Sequence, residues 1–128
     1  MKSKKKELWY LAAPYSHDDP YVKALRFLQI NKVTAHLFNE GYFIFSPISH
    51  THPVREVSCA GDWTIDGGWE FWEEYDTLML SKCNGIFILK LRGWDLSVGV
   101  SAERKIAKKL KLPEKFVCPS TLKISELP

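Results

Sequence analysis

The fold is set by one short stretch near the start of the chain, LWYLAAP at residues 8–14. Six apolar residues that end at a proline are typical of a strand that is buried on both faces of a parallel sheet. From Pro20 to Glu40 apolar residues recur at helical spacing, and Gly41 follows as a stop signal. Residues 42–45 predict a second strand, and the order strand, helix, strand calls for a right-handed parallel crossover.

The rest of the chain predicts further helices and strands in alternation. A helix is expected over residues 68–81, a strand over 86–89, a helix after Ser97, and a short last strand around 116–118. We therefore expect an α/β fold, a flavodoxin-like or Rossmann-like three-layer sandwich with a parallel sheet of four to five strands. Residues 46–66 lack clear periodicity, and we interpret them as a partly ordered active-site loop.

Length and charge favour one nearly neutral domain with short tails. A chain of 128 residues fits a single domain, and we divide it into a basic tail (1–7), an α/β nucleotide-binding domain (8–118) and a C-terminal tail (119–128). The net charge is +3, but without the four lysines among residues 2–6 the chain has 14 basic and 15 acidic side chains. A lysine run at a terminus is more often a solvated tail than a nucleic-acid arm, so no nucleic-acid partner is expected.

The cysteines and the apolar runs bear on the compartment. Cys59, Cys83 and Cys118 are odd in number, far apart and without metal-ligand spacing, which favours reduced thiols. No stretch approaches the ~20 apolar residues that cross a bilayer, and the first apolar run is too short for a signal peptide. The sequence therefore predicts a cytoplasmic protein without a membrane partner.

Three loops follow the predicted strands, at residues 13–17, 46–52 and 92–97. In an open parallel sheet, ligands bind beyond the carboxyl ends of the strands, where the strand order reverses. Ser97 and the free N–H groups of the next helical turn predict an anion site for a phosphate or a 5′-hydroxyl, and Gly99 lets a ligand approach the backbone.

Two carboxylates are candidates for chemistry. Glu103 lies six residues beyond Ser97, about 9 Å along a helix, a gap that a ribose can span; the alternative is a solvated helix residue. Asp76 falls beside the apolar stripe of its helix, where desolvation would raise its pKa and make it a proton donor to a leaving base. The alternative for Asp76 is a boundary residue bonded to a loop amide.

Aromatic and histidine side chains complete the candidate set. Tyr15 is a candidate for packing on a sugar or base, and His17 for a phosphate contact or a helix start. His50 and His52 flank Thr51 as candidates for a phosphate or a metal, but they lack an acidic third ligand, so no metal and no cofactor is predicted. Most of the five tryptophans are expected in the core, and the candidates for stacking on a nucleobase are Trp63, Trp69, Trp72 and Trp94.

Three motifs together carry a family resemblance: YLAAPY at residues 10–15, Tyr75-Asp76, and Ser97-x-Gly99-x-x-x-Glu103. In this order, over roughly residues 8–110, they resemble the nucleoside 2-deoxyribosyltransferase superfamily. That superfamily includes 2′-deoxynucleoside 5′-monophosphate N-glycosidases and CMP hydrolases. Residues 45–53 are similar to its small uncharacterised branch, of the DUF1937/DUF4406 type. The chain departs from the superfamily pattern at Ala13, where a glycine is usual, and at residues 92–95, which resemble an insertion.

The resemblance implies an enzyme that cleaves an N-glycosidic bond of a nucleoside or nucleotide. Glu103 would attack C1′ of the sugar and form a glycosyl-enzyme, Asp76 would protonate the leaving base, and Tyr15 would support the nucleophile or the sugar. A homodimer or higher homo-oligomer is also implied. Hydrolysis is favoured over transfer because several groups are available for a 5′-phosphate, namely Ser16, His17, His50, His52 and Ser97.

Two other functions stay open. The first is a nucleotide-binding or sensing module that keeps the fold and the anion site without catalysis. The second is an interaction domain that uses the tryptophan-rich segment in the 60s and 70s. Convergence of Glu103, Asp76 and Tyr15 on one pocket would favour the enzyme over the sensing module.

Overall fold

The computed structural model describes residues 6–60 and 68–128, without the side chains at 59, 60, 68 and 69. The described strands are β1 (Leu8–Ala12), β2 (Phe43–Phe45), β3 (Gly85–Leu89), β4 (Glu114–Val117) and β5 (Ile124–Ser125). The helices are α1 (Pro20–Asn39), α2 (Pro47–Ala60), α3 (Gly68–Leu80) and α4 (Val98–Lys109), and a 3₁₀ turn at Trp94–Leu96 precedes α4. None of the helices in these ranges is long and apolar enough to span a bilayer.

The strands form one sheet in the order β2-β1-β3-β4-β5. The first four are parallel, and β5 runs antiparallel to β4 with Val117 opposite Ile124. This 2-1-3-4-5 order is that of flavodoxin-like sheets, and the expected α/β class is confirmed. β5 lies within residues 119–128, which the sequence predicts to be a C-terminal tail, so part of this segment is instead an edge strand of the sheet.

Helices cover both faces of this sheet. Successive side chains of β1 and β3 point to opposite faces, so both faces carry apolar side chains that pack against helices. Trp9, Leu11, Phe87 and Leu89 pack with residues of α1 on one face. On the other face the neighbouring strand residues pack against α3 and α4; the buried members are Tyr10, Ala12, Ile86, Ile88, Leu80, Val100 and Ala107. The arrangement is a three-layer α/β sandwich in which both central strands are fully covered.

Helix α1 has the expected start and stop. The side chain of Asp19 accepts a hydrogen bond from the Tyr21 N–H at 2.9 Å, and a proline follows at the first helical position. The helix ends before Gly41, whose φ of 101° is in the region that favours glycine. Ile30, Val33 and Leu37 are buried, whereas other apolar residues at helical spacing stay exposed, namely Leu25, Leu28 and Phe38.

The expectation of a loop over residues 46–66 is wrong for residues 47–60, which form α2; residues 61–66 lie outside the described part of the chain. Pro47 occupies the first helical position, where its missing N–H costs nothing. Pro53 lies inside the helix and obscures the pattern, since an internal proline normally ends a helix. Polar contacts also replace apolar ones: Ser49 bonds to Asn31 of α1 at 2.6 Å, and buried Thr51 donates to the Pro47 carbonyl at 2.8 Å.

Candidate active site

A cavity of about 660 Å³ lies beyond the carboxyl ends of β1 and β3. The strand order reverses between these two strands, because the chain passes from β1 outward to β2 and then returns to β3 on the other side. Ligands of open α/β sheets bind at this position. Side chains of all four helices and of two loops line it, and the polar or aromatic ones include Tyr15, Ser16, Arg26, Arg55, Trp72, Glu73, Asp76, Thr77, Ser97 and Glu103.

Glu103 projects from α4 into this cavity and is half-buried. The hydroxyl of Tyr10, which is fully buried in β1, donates a hydrogen bond to its Oε2. Burial raises the pKa of Glu103 to about 8, the hydrogen bond from Tyr10 opposes that rise, and the charge of Asp76 adds to it. Glu103 is therefore a cavity residue, and the alternative of a solvated helix carboxylate is wrong.

Asp76 faces the same cavity from α3. Its Oδ1 is buried and has no hydrogen-bond partner within residues 6–60 and 68–128. Burial raises its pKa to about 6, and the positive charge of Arg55 partly offsets the effect. A carboxyl group that titrates near neutral pH can deliver a proton there, so its electrostatics suit general acid catalysis.

Tyr15 supplies a ring to the cavity wall and is itself buried. Its hydroxyl lies 2.5 Å from Nδ1 of His52, and the hydroxyl that contacts Glu103 belongs to Tyr10. The cations of Lys23 and Arg55 lie 5.3 and 5.9 Å from the centre of the Tyr15 ring. The three residues predicted to be catalytic thus line one cavity, but the tyrosine whose hydroxyl contacts Glu103 is Tyr10, five residues before Tyr15.

Hydrogen-bond donors also line the cavity, at the start of α4 and on α1. Ser97 caps α4 by accepting a hydrogen bond from the Val100 N–H at 3.2 Å. A Cβ atom on Gly99 would meet only the Ser97 hydroxyl, at 3.9 Å, and the backbone is open to a ligand there. Arg26 of α1 donates to the Ser16 carbonyl at 3.0 Å and also lines the cavity.

The three predicted histidines do not line the cavity. His17 accepts a hydrogen bond from the Asp19 N–H at 3.0 Å, near the start of α1. His50 is exposed, with its ring 6.3 Å from that of Tyr75. His52 stacks on Phe27 at 4.1 Å behind Tyr15, so it supports the wall from outside.

One of the predicted stacking residues, Trp72 of α3, lines the cavity. Trp94 packs against Phe116 at 5.6 Å. Trp63 lies outside the described residues, as does the side chain of Trp69. Sequence reasoning missed Arg26 and Arg55, because an arginine within a helix carries no motif and α2 was not expected.

Residues 7–115 match a family described as "Domain of unknown function (DUF1937)". This span includes all the residues that line the cavity. A search of curated proteins gave no match to the chain.

Proposed function

The chain belongs to the DUF1937 family, and we propose that it cleaves the N-glycosidic bond of a nucleoside or nucleoside 5′-monophosphate through a glycosyl-enzyme on Glu103. The observation that carries the proposal is the convergence of Glu103 and Asp76, from two different helices, on one cavity at the switch point of the sheet. The resemblance of the motifs around Tyr10, Asp76 and Glu103 to the nucleoside 2-deoxyribosyltransferase superfamily supports it.

In the first step the Glu103 carboxylate bonds to C1′ while the bond from C1′ to the base nitrogen breaks. The electron pair of that bond passes to the base, and the Asp76 carboxyl group supplies the proton that neutralises it. Tyr10 holds the attacking carboxylate by donating a hydrogen bond to it. Burial raises the pKa of Tyr10, so its hydroxyl keeps the proton that it donates.

In the second step an acceptor attacks C1′ and the bond to Glu103 breaks, with its electron pair returning to the carboxylate. If the acceptor is water the result is hydrolysis, and Asp76, now ionised, takes up the released proton. If the acceptor is a second base the result is base exchange. Splitting one displacement into two lowers each barrier, as in retaining glycoside hydrolysis.

The distribution of charge in the cavity favours a 5′-phosphate on the substrate. Arg26 and Ser97 line the cavity together with Asp76 and Glu103, and the start of α4 at Ser97 lies about 9 Å from Glu103 along the helix. A helix N-terminus together with a guanidinium suits an anion. A nucleotide placed with its phosphate at the start of α4 would bring its sugar toward Glu103, which is on the same helix.

A specific observation favours a second candidate, a nucleotide-binding or sensing module. With a pKa of about 8, Glu103 is mostly protonated at neutral pH, and a protonated carboxyl group is not a nucleophile. Such a module would bind the same nucleotides in the same cavity without releasing the base.

Both candidates can be tested by incubating the protein with nucleosides and nucleoside monophosphates, with and without an acceptor base, and measuring free base by chromatography. We expect base release by the wild type, loss of release in Glu103→Gln, and retention in Glu74→Gln, an exposed carboxylate of α3 outside the cavity. Absence of release from every substrate, with equal nucleotide binding by wild type and Glu103→Gln, would support the sensing module instead.

A further inference from the structure

We propose that Arg55 binds the leaving base and stabilises the negative charge that the base acquires as the glycosidic bond breaks. The proposal rests on the proposed function and assigns a base subsite within the same cavity, formed by Arg55, Trp72 and Asp76. Its ligand class is a planar nitrogen heterocycle with a lone-pair acceptor near the glycosidic nitrogen.

The geometry around Arg55 is that of a stacking site. The guanidinium of Arg55, on α2, lies 5.2 Å from the centre of the Trp72 ring and 5.9 Å from that of Tyr15. The three side chains come from three separate elements and line the same cavity. Flat aromatic and guanidinium surfaces bind nucleobases by stacking, largely without regard to base identity.

Two groups on this wall, the Arg55 guanidinium and Asp76 Oδ1, have no hydrogen-bond partner among the described residues. Arg55 makes no hydrogen bond or ion pair with the described residues, whereas Arg26 bonds to a carbonyl and Arg104 forms a double contact with Glu114. Its five N–H donors are therefore unoccupied within the described part of the chain, where a ligand can accept hydrogen bonds from them. Asp76 Oδ1, on the same wall, has no hydrogen-bond partner in the described ranges either. An acceptor and a donor on one edge of a planar ligand would satisfy both groups.

The position beside Asp76 gives Arg55 a role in bond cleavage. The electron pair of the breaking bond passes to the base, and a fixed positive charge next to the base stabilises it before the proton from Asp76 arrives. Arg55 and Asp76 would therefore share the stabilisation of the leaving group, the first by charge and the second by proton transfer.

These two roles predict how the loss of activity in an Arg55 variant depends on the acidity of the leaving base. The experiment measures kcat and KM for a series of substrates with the same sugar and bases of different acidity, using the wild type, Arg55→Met and Arg55→Lys. Arg55→Met keeps the aliphatic stem and removes the charge and donors, and Arg55→Lys keeps the charge without the planar group.

Arg104→Met is the matched control. The guanidinium of Arg104 also lies over two rings, 5.6 Å from Trp94 and 5.4 Å from Phe116, but outside the cavity. We expect kcat/KM to fall about 10-fold for the most acidic base and at least 100-fold for the least acidic base in Arg55→Met. Arg55→Lys should lie between it and the wild type, and Arg104→Met should show no dependence on the base.

Circular dichroism and the melting temperature of each variant separate loss of fold from loss of function. Equal losses for all bases in folded Arg55→Met, or no loss, would overturn the role of Arg55 while the proposed function stands. No base release by the wild type itself would overturn the proposed function.

Discussion

Tyr10 and Glu103 are 93 residues apart in sequence, and the hydroxyl of the first donates a hydrogen bond to the carboxylate of the second. Tyr10 lies on the central strand β1 and is fully buried, whereas Glu103 lies on α4 and faces the cavity. The contact links the interior of the sheet to the candidate nucleophile. It also places a neutral donor, rather than a cation, on the oxygen that the proposed mechanism uses.

Tyr10→Phe should slow base release without loss of the fold. Hydrogen bonds to a charged group contribute about 1.5–3 kcal/mol, so we expect kcat to fall about 10- to 100-fold. The hydrogen bond lowers the pKa of Glu103, so its loss should raise that pKa and move the alkaline limb of the pH–rate profile, which falls above the pKa of Glu103, to higher pH. Tyr15→Phe is the control because its hydroxyl contacts His52; a limb that moves with Tyr15→Phe but not with Tyr10→Phe would contradict this assignment.

The pH dependence of base release should reflect both carboxyl groups. Glu103 must be ionised, and its active form increases as pH rises toward its pKa of about 8. Asp76 must be protonated, and its active form decreases as pH rises through its pKa of about 6. The two trends cancel between these values, so we expect a plateau from about pH 6 to 8 with a fall on both sides. In Asp76→Asn the residual rate should instead keep rising to about pH 8, and an unchanged profile would remove Asp76 from the mechanism.

Stability should also depend on the ionisation of Glu103. Its pKa is raised from 4.5 to about 8, so between these values the folded protein keeps a proton that the unfolded chain has lost. The free energy of unfolding should therefore be highest below pH 4.5 as far as this group is concerned, and should fall as pH rises to 8. We expect Glu103→Gln to gain on the order of 1–3 kcal/mol over wild type at pH 8 compared with pH 5, measured by urea unfolding. Parallel pH curves for the two proteins would show that this carboxyl group is solvated.

The fold could be predicted from sequence because its signals are local. The apolar run of β1, the Asp19 cap with Pro20, and the stop at Gly41 each act over a few residues. Helix α2 could not be predicted, since Pro53 obscures its pattern and one of its contacts with α1, between Ser49 and Asn31, is polar.

Residues of the candidate site could be predicted only where they form a recognisable pattern with their sequence neighbours. Glu103 and Ser97 share one helix at a fixed spacing, and Asp76 interrupts an apolar stripe. The sequence around Tyr10 does not indicate that its hydroxyl donates to a site residue, because a tyrosine inside an apolar strand is equally compatible with a core role. Its contact with Glu103 depends on the pairing of β1 with β3 and on the packing of α4 over them.

Gly99→Ala tests the predicted anion site at the start of α4. The added Cβ would meet only the Ser97 hydroxyl, at 3.9 Å, so the fold should tolerate it, and a helical alanine in place of glycine adds up to about 1 kcal/mol of stability. The methyl group would instead occupy cavity space beside the first N–H groups of α4. We expect KM for nucleoside monophosphates to rise about tenfold with the melting temperature unchanged or higher. An unchanged KM would show that the phosphate does not bind at this helix start.

Gly85→Ala should have the opposite effect, a loss of stability without a loss of chemistry. The new Cβ would lie 2.5–2.7 Å from three atoms of the Trp9 ring. That ring cannot easily move, because it is buried and packs on Phe87 with the ring centres 4.7 Å apart. Overpacking of this kind costs about 1–3 kcal/mol. The strain falls on the α1 face of the sheet, whereas Glu103 and Asp76 lie on the other, so kcat at a temperature where the variant stays folded should match the wild type.

A second substitution distinguishes this clash from a general intolerance of β3. Trp9→Leu on its own removes buried aromatic surface and should destabilise the protein, by about 2–4 kcal/mol. Combined with Gly85→Ala it also removes the atoms that the new methyl group meets. The double variant should therefore lose at least about 1 kcal/mol less stability than the sum of the two single losses. Thermal and urea unfolding of the two single variants and the double variant measure this coupling. Additive losses would mean that the cost at Gly85 arises from the strand backbone and not from the ring of Trp9.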